Sequence, residues 1–408
     1  MSQDSSPMPP VQSQMRQPRR MIWILAATLL FTGGQARQAW EQSRLEKAHN
    51  KAIPPSEFAR IFKEFSEPGG YFRSDNFVSN ETSYLHIVDK LKELGASGGA
   101  YIGVGPEQNF TYIAKIRPQI AFIVDIRRQA VIQHLMFKAL FQLAETRTRF
   151  LSLLFSKPIV GAGPGADASA QELVSYFSRI ATDGATFTRN LALIGTTITR
   201  NFAVPLDATD RAKLEYVYSA FRDENFNLQY RGYGRYGGYG YGSRSAWSYF
   251  PTLGDLMLES DLHGKLGNFL ASRNDYEFVR SLQISNRIIP IVGDFGGTKA
   301  IAAVASYLKK NGYAVTAFYT SNVEQYLFDG GEFDEFAKNV GLLPITARSL
   351  FIRAYPNQGR SPHPAQIGNH RLTTLLQKIS VFLDDYQHGL YTDYWTLVRT
   401  HYISALPP

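Results

Sequence analysis

Residues 98 to 128 constrain the fold of this chain more than any other stretch. They read Gly-Gly-Ala-Tyr-Ile-Gly-Val-Gly-Pro-Glu-Gln-Asn-Phe-Thr-Tyr-Ile-Ala-Lys-Ile-Arg-Pro-Gln-Ile-Ala-Phe-Ile-Val-Asp-Ile-Arg-Arg. A short apolar run, Ala100 to Ile102, enters a Gly-x-Gly turn at Gly103 and Gly105. A helical stretch follows, with Phe110, Ile113, Ala114 and Ile116 on one face. Pro118 ends it, and a second apolar run, Ile120 to Val124, finishes on Asp125. Strand, glycine turn, helix, strand and acid form the first unit of a nucleotide-binding α/β fold. The two glycines can take backbone angles closed to other residues and let a ligand lie against the main chain. The next helix then points its unpaired N–H groups at that ligand. Asp125, 20 residues beyond Gly105, stands where a carboxylate accepts both hydroxyls of a ribose. Alanine there is expected to leave the fold intact, because the exposed end of a strand has few core contacts. The third glycine of the dinucleotide pattern is missing: Gln108 takes its place, which weighs against NAD.

A second unit of the same kind begins at Ile288. Ile288 to Val292 is a strand in which Pro290 marks an edge or an irregular start, and Gly293-Asp-Phe-Gly-Gly297 is the turn after it. Ala300 to Lys310 is a helix stopped by Gly312, and Val315 to Tyr319 is a strand running into Ser321-Asn-Val-Glu-Gln325. The expected class is therefore α/β, a Rossmann-like, mostly parallel sheet flanked by helices. Ligands of open α/β sheets sit beyond the carboxyl ends of strands, so Gly103, Asp125, Asp294, Asn322 and Glu324 are expected along one rim. Turn and helix-cap chemistry accounts equally well for Asp294 and Asn322.

The residues upstream of the first turn sharpen the expectation. Arg73-Ser-Asp-Asn-Phe-Val-Ser-Asn-Glu81, followed by Leu85, Ile87 and Val88, resembles the segment that precedes the glycine motif in rRNA adenine dimethyltransferases. Asn76 and Phe77 match that segment, and Ile102-Gly-Val-Gly105 occupies the glycine-motif position. The chain thus resembles the class I S-adenosylmethionine-dependent methyltransferase fold over about residues 70–155 and 286–330. It also resembles a bacterial family of uncharacterised proteins built on that fold, with paired signatures Tyr101-Ile-Gly-Val-Gly-Pro-Glu-Gln-Asn and Val292-Gly-Asp-Phe-Gly-Gly. The resemblance implies S-adenosylmethionine as cofactor. Gly103, Gly105 and Glu107 would then line its amino-acid end, Asp125 its ribose, and Asn76 and Phe77 the same pocket. Asp294 would lie near the methyl group, with Asn322 and Glu324 completing the catalytic set. The Asn-x-Pro-Tyr motif that grips the target amine in the dimethyltransferases is absent, so nucleic acid is not the expected substrate. Three functions stay open: a methyltransferase of unstated substrate, a non-catalytic small-ligand or nucleotide-binding module of the cell envelope, and an NAD-dependent enzyme.

The flanks carry the location. Residues 1–36 hold Arg16, Arg19 and Arg20, an uncharged run from Met21 to Thr32 and the small-residue site Gly34-Gln-Ala36. Basic, apolar, small is the order of an export signal, and the alternative is an uncleaved anchor through residues 21–34. Either places the mature chain in the periplasm or outside the cell, by the general or the twin-arginine route. Residues 37–69 are expected to be a polar helical spacer and a second helix. Ser56 is its expected cap, and Phe58, Ile61, Phe62 and Phe65 its apolar face. Residues 70–408 form the Rossmann-like domain. It is interrupted at about 156–285 by an insertion holding the tract Tyr230-Arg-Gly-Tyr-Gly-Arg-Tyr-Gly-Gly-Tyr-Gly-Tyr-Gly242, read as a loop. Val131, Ile132, Leu135, Met136, Ala139, Leu140 and Leu143 form the stripe of an amphipathic helix that Arg127 and Arg128 open. These arginines are either solvated or aimed at an anionic ligand. Leu372, Leu375, Leu376, Ile379 and Phe382 read as one face of a C-terminal helix. Zero cysteines exclude thiolate chemistry, and the eight histidines show no metal-ligand spacing. The net charge of +8 permits anionic partners without demanding them.

Overall fold

A computed structural model of the chain describes residues 51–230, 250–357, 362–368 and 370–406. The export segment, the polar spacer up to residue 50 and the Tyr/Gly tract beyond Tyr230 lie outside the described residues. No helix among the described residues is long and apolar enough to cross a membrane.

In chain order, helix α1 (Pro55–Phe65) and the short α2 (Val88–Glu93) precede β1 (Ala100–Gly103), α3 (Gln108–Ile116), β2 (Ile120–Asp125) and α4 (Arg128–Leu143). Six further helices follow: α5 (Arg147–Phe155), α6 (Ala170–Ser178), α7 (Gly184–Thr196), α8 (Ala208–Glu224), α9 (Leu253–Met257) and α10 (Arg273–Ile284). The sheet resumes with β3 (Ile288–Val292), α11 (Ala300–Lys310), β4 (Val315–Ser321), α12 (Val323–Gly330) and α13 (Phe333–Gly341). It closes with β5 (Ile345–Pro356), β6 (Leu372–Lys378), α14 (Ile379–Gln387) and α15 (Tyr394–Arg399).

The six strands form one sheet in the order β3-β2-β1-β4-β5-β6, parallel except for β6, which runs antiparallel to β5. This is the Rossmann-like α/β architecture that the two strand–turn–helix units predict. Pro290 sits in the edge strand, where a missing N–H donor is tolerated. After β3 the chain crosses back over β2 and β1 to lay β4 on the other side of β1. The order therefore reverses at the β1/β4 boundary, and the crevice beyond these carboxyl ends is the switch point where such sheets take ligands.

Three helix expectations change. Residues 372–378 are a strand, not the start of a helix: both faces of β6 are buried, so its apolar residues need not alternate. The spacing of Leu372, Leu375 and Leu376 imitates a helical period while the β-branched Thr373 and Thr374 suit a strand. Helix α4 is buried all round from Ala130 to Phe141, not amphipathic, because strands β2 and β3 cover one side and neighbouring helices the others. Helix α1 begins at Pro55 after Pro54, and no side chain caps it, Ser56 included. Proline at the first helical position is pre-set for that turn and lacks the N–H that would go unpaired. α1 packs against edge strand β3 and buries Phe58, Ile61 and Phe62, each worth about 1.5–3 kcal/mol.

Candidate functional site

Glycine serves different ends at the two positions of the β1–α3 turn. A Cβ on Gly103 would fall 2.0 Å from Asn109 Oδ1 and 2.7 Å from the Tyr101 ring, so this glycine makes room for the protein's own side chains. Asn109 holds the turn. Its Oδ1 accepts the Tyr101 hydroxyl (2.9 Å), and its Nδ2 donates to the carbonyls of Val104 (2.9 Å), Gly105 (3.1 Å) and Pro106 (2.8 Å). His134 Nε2 donates to the Gly105 carbonyl at 2.8 Å, and burial lowers that imidazole to about 4, which keeps it neutral. Gly105 has φ +79°, and a Cβ there would meet nothing within 4 Å. The carbonyls are tied to Asn109 and His134, and the Cβ side of the buried Gly105 is open.

A strap, residues 70 to 81, crosses that crevice. Gly70 N–H bonds the Ile126 carbonyl beyond β2 (2.8 Å), and Gln133 Nε2 donates to the Phe77 carbonyl (2.7 Å). Ser79 N–H reaches Glu107 Oε1 (3.3 Å), and Ser79 Oγ donates to Gln108 Oε1. Glu81 then receives Gln108 Nε2 (3.0 Å), the Tyr319 hydroxyl (2.8 Å) and Ser321 Oγ from the end of β4. Burial pushes the Glu81 carboxyl up, against the pull of its three donors. Gln108 thus replaces the close helix–strand contact of a third glycine with a buried polar network. Glu107 is 4% exposed and pushed up to about 7 by burial, and its Oε2 has no partner. Asn76 (φ 52°) and Ser321 (φ 55°) hold left-handed backbone on either side of the network. Such conformations cluster where the surrounding structure holds a site in place.

The expected rim residues do not all meet. Asp125 is 3% exposed and already engaged: Arg127 donates to it from N (2.9 Å), Nε (3.0 Å) and Nη2 (2.8 Å). Arg127 Nη1 also holds the strap carbonyls of Ser74 (2.9 Å) and Asp75 (2.7 Å). The expectation that Asp125, at an exposed strand end, has few core contacts therefore fails. Arg128, partly exposed, is paired with Asp210 (2.7 Å), so both arginines are engaged by the protein's own carboxylates. Phe77 is fully buried against Tyr216. Asp294 follows edge strand β3, three strand spacings or about 14 Å from β4, and its Oδ1 accepts the Gly296 N–H of its own turn (2.9 Å). Glu324 lies below the rim at 0% exposure, in an ion pair with Arg353 (2.8 Å). Asn322 is half-buried at the N-cap of α12, without a capping bond. Glu107 and, through Arg127, Asp125 are tied to the strap that carries Asn76, and Asn322 follows Ser321 of the same network. Asp294 follows Gly293, whose N–H bonds the Asp125 carbonyl (3.0 Å), but its carboxylate accepts within its own turn, and Glu324 is paired with Arg353.

Glu81, Tyr319 and Ser321 were not among the expected site residues, and Arg127, weighed as solvated or aimed at an anionic ligand, is instead bound to Asp125 and the strap. Their one signal was polarity at the ends of apolar runs. Aromatic and cationic groups ring the crevice: Phe72 against Tyr326 (5.1 Å), Tyr230 against Phe250 (5.0 Å) and the Arg371 guanidinium over Phe250 (4.0 Å). Two shallow depressions of about 440 and 470 Å³ open at the opposite edge, around Gly95 and Ser97. They lie at the amino ends of the strands, away from the turns that carry the polar network. Among the described residues no cluster of three or more His, Asp or Glu side chains could hold a metal.

No curated protein matches the chain. A family model, described as a domain of unknown function (DUF7790), matches residues 76–158 and 253–401, more than half of the 408 residues. The two matched segments hold all six strands and both glycine turns, while α6, α7 and α8 fall between them. The chain belongs to the DUF7790 family.

Proposed function

We propose that the chain binds S-adenosylmethionine at the β1/β4 switch point. The observation that carries this reading is the Gly105 turn, whose carbonyls are tied inward and whose Cβ side is open. Helix α3 begins three residues on, so its N-terminus faces the carboxylate end of such a cofactor. Glu107, with its unpartnered Oε2, takes the ammonium end, and the rings of Phe72, Tyr230 and Tyr326 offer flat faces to adenine. Asp125 takes the ribose only after Arg127 swings away, so binding is coupled to loosening of the strap. Methyl transfer then needs a substrate group brought in line with the sulfonium. Asn322 and Ser321 are the polar side chains nearest that point on β4.

The same fold acting as a non-catalytic binding module of the cell envelope is the second reading. One observation favours it: Asp294 and Glu324 are both held in structural bonds away from the crevice. Calorimetry of the full chain with S-adenosylmethionine, S-adenosylhomocysteine and NAD tests both readings. The expected result is binding of the first two and not of NAD. Indifference to all three removes the cofactor and leaves the module reading with another ligand.

A further inference from the structure

The turn after β3, Gly293-Asp-Phe-Gly-Gly297, takes no part in the crevice, yet its main chain is arranged as an anion cradle. Asn339, 7% exposed, donates to the carbonyls of Phe295 (2.9 Å) and Gly297 (2.7 Å) and draws them to one side. N–H groups converge on the other side, where a carboxylate is seated. Glu67 Oε2 accepts from Asp294 N (2.9 Å), and its Oε1 accepts from Lys299 N (2.9 Å) and Ala300 N (2.8 Å). A Cβ on Gly297 would lie 2.7 and 2.9 Å from those two oxygens, so the glycine is the space the anion occupies. Helix α11, which starts there, has no side-chain cap of its own.

Two observations mark this as more than a cap. Among the described residues no cationic side chain pairs with Glu67. Lys299, whose main-chain N–H bonds Glu67, sends its Nζ to the Ser66 carbonyl instead (2.7 Å). Main-chain N–H groups and a helix N-terminus alone hold the charge, as they hold a free oxyanion. The family match also begins at residue 76, whereas the receiving loop lies inside it, so the anion comes from outside the matched domain. The segment that brings it is docked along its length. Ile53 bonds Ser285 and Asn286, Phe58 and Ile61 are fully buried, and Glu67 N–H bonds the Val292 carbonyl (2.9 Å).

We infer that the loop from Gly293 to Ala300 is an oxyanion receptor of the family domain, and that Glu67 fills it here as a tethered ligand. Its chemistry suits a phosphate or a carboxylate, and residues 53–67 act as a built-in plug that keeps small anions out. Full-length wild type, Glu67→Ala and Glu67→Gln are melted in chloride, phosphate and acetate at matched ionic strength. Glu67→Ala is expected to melt lower in chloride and to recover by several degrees in phosphate or acetate, the larger recovery naming the better ligand. Wild type is expected to ignore both anions. Adding Gly297→Ala to Glu67→Ala should remove the recovery, because the new Cβ stands in the anion's place. Hydrogen exchange reads the same event locally, as anion-dependent protection of residues 294–300 in Glu67→Gln. Equal melting of Glu67→Ala in all three salts overturns the inference. So does an equal anion response in wild type, or a loss of fold in both Glu67 variants that neither anion rescues.

Discussion

At the scale of single residues, Asp125 carries two roles that substitution separates. Its carboxylate balances the buried Arg127 guanidinium, and removing one partner of such a pair costs about 3–5 kcal/mol. Asp125→Ala is therefore expected to lower thermal stability by that order, contrary to what its place at a strand end implies. Asp125→Asn keeps the shape and one acceptor oxygen, so the fold is expected to suffer less. In the S-adenosylmethionine reading both variants lose the charge that grips the ribose, roughly 1.5–3 kcal/mol or a ten- to hundredfold weaker Kd. Melts with and without cofactor distinguish the two. A stable Asp125→Asn protein with wild-type affinity would show that Asp125 serves Arg127 and the strap alone.

At the scale of the β1–α3 turn, the two glycines on either side of Val104 are predicted to fail differently. Gly103→Ala drives a Cβ into Asn109, which is itself fully buried and tied to three carbonyls, so the turn must shift. Overpacking of this kind costs about 1–3 kcal/mol. Gly105→Ala meets nothing within 4 Å and pays only for its left-handed backbone, about 1–2 kcal/mol. The expected order is that Gly103→Ala melts lower, while Gly105→Ala loses more cofactor affinity per degree of melting temperature lost. Calorimetry beside the melts checks it. Equal affinity losses in the two variants would mean that the ligand does not approach Gly105.

At the scale of the whole molecule, two buried groups shape stability against pH in opposite directions. Lys138 is fully buried over the Phe58 and Phe202 rings, and its one hydrogen bond goes to the Gln283 carbonyl. Desolvation lowers it from 10.5 to about 7. The unfolded chain then binds more protons between those values, so this group makes stability rise with pH across that window. Glu107 is raised from 4.5 to about 7, and here the folded chain binds more protons, so stability falls as pH rises over that range. Each group contributes a slope approaching about 1.4 kcal/mol per pH unit inside its own window, and on the acid side the buried His86 and His134, both lowered to about 4, work against Glu107. Denaturant titrations from pH 5 to 10 measure it. Lys138→Met is expected to flatten the alkaline side, and Glu107→Gln to make stability rise more with pH between about 4.5 and 7 than it does in wild type. An unchanged profile in either variant rejects that residue's part.

What the sequence determined by itself is what short-range chemistry decides. Glycine and proline punctuation, apolar runs of strand length and one well-placed acid sufficed for β1, α3, β2, β3, α11 and β4, and so for a mostly parallel α/β sheet. Each of those signals lies within a few residues of the element it forms. The tertiary structure alone decided the rest, because the deciding partners are distant in the chain. Glu81 meets Tyr319 across 238 residues, and Glu67 meets Ala300 across 233. No local pattern shows that Arg127 clamps strap carbonyls 52 and 53 residues upstream, or that Glu324 sinks into a pair with Arg353, 29 residues on. The same holds for Leu372–Lys378. Its apolar spacing fits a helix and a doubly buried strand equally, and pairing with β5 settled it, since only a neighbouring strand can satisfy that backbone as a sheet.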